Sequence, residues 1–141
     1  MVSQYFQVGD LVLWNPSNTV AQLFARMTEA MVPVAGCPSG VRTDMGRDEH
    51  EIDPDSFAVF VNALTARYLS TSHPILTAML RGYLPAALVM VQRSGRDVPN
   101  LNESAERDNR DVSLNRDSFD PNVDRQRLLD LTESHARVMP Q

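Results

Sequence analysis

One cysteine and three histidines are the side chains best suited to chemistry in this chain, and their spacing decides how much they can do. A cysteine and an arginine embrace a phosphate when five residues separate them and the intervening N–H groups converge on one anion. Between Cys37 and Arg42 there are four, Pro38-Ser39-Gly40-Val41, so an ordinary partly buried cysteine is expected. A single cysteine allows neither an intrachain disulfide nor a four-cysteine zinc site. His50, His73 and His135 include no pair four residues apart, the spacing that sets two imidazoles on one helical face for zinc. No metal role is expected of them, and His73 is read as support for a helix start. Gly-rich phosphate loops, a Gly-x-Ser-x-Gly elbow and a dinucleotide fingerprint do not occur, so no catalytic residue and no cofactor is expected.

Charge offers more. Asp44, Asp48, Glu49, Glu51, Asp53 and Asp55 place six carboxylates in twelve residues, with Arg47 and His50 among them. The calcium-loop pattern is absent. Two readings stay open: a solvated loop, or carboxylates at a subunit boundary (Asp44, Asp48, Glu49 and Glu51). The second would make assembly sensitive to pH through mutual repulsion. All 13 basic residues are arginine, a side chain whose planar fork pairs carboxylate or phosphate bidentately. Arg93, Arg96, Arg107, Arg110 and Arg116 bracket a polar stretch, where Asp97, Asp108, Asp111 and Asp117 offset most of their charge. That stretch is either an internally neutralised arm or, through Arg93, Arg96, Arg107 and Arg110, a contact for RNA phosphates that reads charge alone.

The elements that would position these groups follow from apolar spacing. With 141 residues and 43% apolar content the chain is one domain's worth. Its net charge of −5 argues against a dedicated nucleic-acid binder. The longest apolar run, Leu84 to Val91, is too short to span a membrane. The first five residues lack the basic flank and apolar stretch of a leader, so neither span nor leader is expected.

Residues 4–14 place two apolar runs about Gly9-Asp10, which predicts a hairpin. Asn15-Pro16 predicts a helix start, with Val20, Leu23, Phe24, Met27 and Met31 as one apolar face and Pro33 as the stop. Residues 33–52 read as a loop. Asp53-Pro54 opens a second helix that buries Phe57, Phe60, Val61, Leu64 and Tyr68. Ser72 caps a third that carries Ile75, Leu76, Met79, Leu80, Tyr83 and Leu84, with a kink or break expected at 82–85 around Pro85. Residues 94–120 read as an extended polar arm. Asp120-Pro121 caps a last helix with a narrow apolar side, docked weakly or on a neighbouring subunit.

The fold class is therefore mainly α: an antiparallel helical bundle with a short N-terminal β-hairpin and an extended polar C-terminal arm. Residues 1–93 form the helical core with its hairpin, and residues 94–141 form the arm and terminal helix. The surface expected to be left for assembly is Tyr5, Phe6, Trp14, Leu128 and Leu131.

Pro74-Ile75-Leu76-Thr77-Ala78-Met79-Leu80 resembles the start of a core helix in tobamovirus-type helical coat proteins. The placing of Trp14 and Pro16 relative to Pro74 is similar to that family, as is the run Glu106 to Val112. The chain departs from the family where Gly82-Tyr83-Leu84-Pro85 and Phe119-Asp120-Pro121 interrupt. The resemblance implies a self-assembling coat subunit in a homo-oligomeric rod around single-stranded RNA, with Arg107 and Arg110 on phosphates. Its location would be the virion, and the host cytoplasm before assembly. Ser72 through Tyr83 is also similar to a helix in the smallest capsid proteins of betaherpesviruses. That resemblance implies a capsid-decorating or adaptor module that binds a larger protein and no nucleic acid. A viral structural protein is the leading expectation and an adaptor module the second. A Cys37-dependent enzyme is the third.

Overall fold

The structure is a computed structural model that describes residues 4–44, 49–102 and 120–141. Strands β1 (Tyr5–Val8) and β2 (Leu11–Trp14) form the expected hairpin, turning at Gly9 with φ 56°. Helix α1 (Asn18–Ala35) follows, then β3 (Val41–Asp44), β4 (Glu49–Ile52), α2 (Pro54–Ser70), α3 (Pro74–Arg93), the single turn α4 (Pro99–Asn102) and α5 (Pro121–Val138). The fold is mainly α with an N-terminal hairpin, as the apolar spacing implied.

The sheet is larger than the hairpin. Its order is β2-β1-β4-β3, with β4 parallel to β1 and antiparallel to β3. The loop expected over 33–52 is thus corrected: its second half is a strand pair. The physical reason is period two. In Glu49-His50-Glu51-Ile52 the residues alternate out and in, so His50 and Ile52 are buried while Glu51 is exposed. Gly40, at φ +73°, makes the turn onto this pair. A Cβ there would lie 2.7 Å from the Ser56 Cβ, and the Gly40 carbonyl accepts the Asp53 N–H at 2.8 Å.

Helix boundaries shift from expectation for local reasons. Ser17, not Asn15, holds the N-cap of α1. Pro33 lies inside the last turn of α1 and is exposed. The stop is Gly36 in the left-handed region, whose N–H reaches the Val32 carbonyl at 2.9 Å. Asp53 caps α2 as expected, accepting from the Asp55 and Ser56 N–H groups. His73 caps α3 in place of Ser72, its Nδ1 accepting the Leu76 N–H at 3.4 Å.

Of the kink or break expected at 82–85, the break does not occur: α3 runs unbroken from Pro74 to Arg93. Leu80 and every residue from Tyr83 to Val91 are buried, and that packing outweighs the one hydrogen bond Pro85 removes. By length and composition α3 could cross a membrane, but 56% of the stretch is buried inside the protein, as in a core helix. Helix α5 is not loosely docked. It packs on α3 and α2, with Leu128 and Thr132 buried.

An aromatic cluster joins the sheet to the helices. Phe6 stacks on Trp14 at 5.6 Å and on the His50 ring at 4.4 Å. Phe24 of α1 meets Phe6 edge-on at 5.3 Å and stacks on Tyr83 of α3 at 4.9 Å.

Candidate interaction surface

The three histidines are hydrogen-bonded within the fold. His50 is buried, with Nδ1 3.0 Å from the Thr43 hydroxyl and Nε2 2.6 Å from the Gln4 side-chain oxygen. The Gln4 amide donates to Asn18 at the start of α1. The ring thereby ties β3 and β4 to the residue before β1 and, through it, to α1. His135 turns its Nδ1 to the Leu131 carbonyl one turn back at 2.8 Å. Cys37 is half-buried just past α1, and Arg42 lies in β3 as an exposed strand residue. Among the described residues no group of three His, Cys, Asp or Glu side chains could hold a metal. An open groove of about 410 Å³ between α4 and α5 is lined by Leu101, Asn102, Asn122, Arg125, Gln126 and Leu129. It carries one charged group and neither a base nor a nucleophile.

The expected phosphate contacts are corrected in part. Arg93 is half-buried and donates to three backbone carbonyls: Leu13 at 2.8 Å, Ala136 at 3.1 Å and Met139 at 2.9 Å. Burial lowers its guanidinium below the ordinary arginine value without neutralising it. The group is a strut between β2, α3 and the end of α5. Arg96 pairs with Asp55 at 2.6 Å on the surface. Arg107 and Arg110 lie outside the described residues.

The carboxylates separate similarly. Glu51 is exposed and accepts the Gly9 N–H at 2.8 Å and the Gln7 amide at 3.4 Å, bracing the first hairpin. Glu49 is half-buried and faces Tyr5 across the parallel pair. Asp44 ends β3, and Asp48 lies outside the described residues.

The expected assembly surface is corrected more sharply. Phe6 and Leu128 are fully buried in the chain's own core and Trp14 nearly so, because the hairpin and α5 close over α1 and α3. Leu131 is half-buried, and only Tyr5, at 38%, is exposed. The Asn15 N–H donates to the Pro140 carbonyl at 2.8 Å, so the two terminal segments meet on their own body.

Among the described residues large apolar side chains are left exposed on several elements, Val59 on α2 and Ile75 and Met79 on α3 among them, and α1 carries a run of them. The core takes Ala21, Phe24 and Thr28. The Thr28 hydroxyl, bonded to Phe24 O at 2.9 Å, pairs with the Tyr83 hydroxyl at 2.7 Å. Burial pushes the Tyr83 hydroxyl well above its usual value, and the bond to Thr28 offsets this in part. Beside that buried stripe runs a second one: Val20, Leu23, Met27, Ala30 and Val34, spaced three, four, three, four. Val20 and Leu23 are 44% and 59% exposed, Ala30 is exposed, and Met27 and Val34 are half-buried. Arg26, Glu29 and Gln22 border it as exposed polar residues.

The single apolar face expected from Val20, Leu23, Phe24, Met27 and Met31 is thus two adjoining stripes, and Val20 and Leu23 fall on the outer one. The signal was present as an apolar arc wider than one core contact covers. The outer spacing alternates three and four, which suits the side of a second helix.

No curated protein and no solved structure matches the chain. A family model described as "Family of unknown function (DUF6086)" matches residues 2–141.

Proposed function

The chain belongs to the DUF6086 family, and from that footing we propose that it is a protein-binding module. It receives an amphipathic helix of a larger protein along the outer stripe of α1. The observation that carries this reading is exposed Val20, Leu23 and Ala30, continued by Met27 and Val34 at helix-pairing spacing; the last two are half-buried and also touch the core. Apolar stripes of this kind, rimmed by polar residues, mark docking sites for partner helices. The net charge of −5 favours a partner with a basic surround through steering more than through affinity.

The adaptor reading replaces the coat-subunit expectation for a physical reason. Self-assembly of the kind expected needs terminal segments completed by neighbours. Here Phe6, Trp14, Leu128 and Met139 are completed by the chain itself. The same reading involves no nucleic acid, and Arg93, committed to backbone carbonyls, is not available to a phosphate.

The test is affinity capture from the native source with the unaltered chain and with Leu23→Glu, followed by cross-linking to map contacts. A protein retained by the first, lost from the second and cross-linked to α1 is the expected result. Light scattering that shows large homo-oligomers at every salt and pH would overturn it in favour of self-assembly.

A further inference from the structure

We draw no further inference here: the strongest candidate, the open groove of about 410 Å³ between α4 and α5, has as its polar lining the exposed amides of Asn102, Asn122 and Gln126 and one arginine, Arg125, already bonded to Asn122 and to the Asn100 carbonyl, and nothing in the structure shows what covers it.

Discussion

The Arg93 guanidinium lies 2.9 Å from the Met139 carbonyl, forty-six residues away, and the same group reaches the Leu13 carbonyl at 2.8 Å. One side chain at the end of α3 thereby joins the first hairpin to the last turn of the structure. Replacing it by alanine orphans three carbonyls and costs about 2–4 kcal/mol, since hydrogen bonds from charged donors are among the stronger ones. Urea denaturation of Arg93→Ala should show that loss. Arg93→Lys should recover only part, because an ammonium cannot fork between three acceptors as a guanidinium does.

Thr28 and Tyr83 form a buried hydroxyl pair at 2.7 Å between α1 and α3. Thr28→Val keeps the shape and strips the Tyr83 hydroxyl of its partner, at a cost of about 1–3 kcal/mol. The thermal midpoint of the variant checks this, and an unchanged midpoint would mean the hydroxyl finds another partner.

The same tyrosine sets an alkaline limit. Its pKa is raised in the folded chain by burial, so above about pH 10, the ordinary tyrosine value, the unfolded state releases this proton while the folded state keeps it. The contribution is fully present below that pH and is lost as pH rises beyond it. Absorbance of tyrosinate during an alkaline titration should show Tyr83 silent until the chain unfolds. In Tyr83→Phe that late step disappears.

Gly40→Ala tests the turn that carries the second strand pair. The new Cβ would meet the Ser56 Cβ at 2.7 Å and the Phe57 nitrogen at 3.0 Å, on a backbone at φ +73°. Strain and clash together predict a loss of about 2 kcal/mol or more. Gly9→Ala has open space around its Cβ and bears only the backbone strain, so its loss should be smaller.

How far the sequence could be read follows from the kind of signal at each site. Cap-plus-proline pairs placed α2 and α5 correctly, because Asp53-Pro54 and Asp120-Pro121 act locally. Pro85 and Pro33 misled, because tertiary packing around α3 and a glycine stop after α1 override a single missing N–H. The β3–β4 pair was hidden under its charges. Glu49 and Glu51 dominate the composition, while the period that buries His50 and Ile52 is only two residues wide. The outer α1 stripe was legible as apolar spacing. Its exposure was not, since nothing local says which of two adjoining stripes the core will take. Arg93 was misassigned for the same reason: its three acceptors lie 80, 43 and 46 residues away in sequence.

The reading of this chain as a docking module stands on one exposed leucine and its neighbours along α1. Leu23→Glu leaves stability within about 0.5 kcal/mol, because a surface substitution away from caps and cores costs little. Capture from the native source should therefore be run with the unaltered chain, Leu23→Glu, and Val59→Glu as a second exposed apolar site off the stripe, 62% exposed on α2. The account predicts one stoichiometric partner held by the unaltered chain and by Val59→Glu and released by Leu23→Glu. An identical set of bound proteins for all three, or retention of nothing but further copies of the chain, would contradict it.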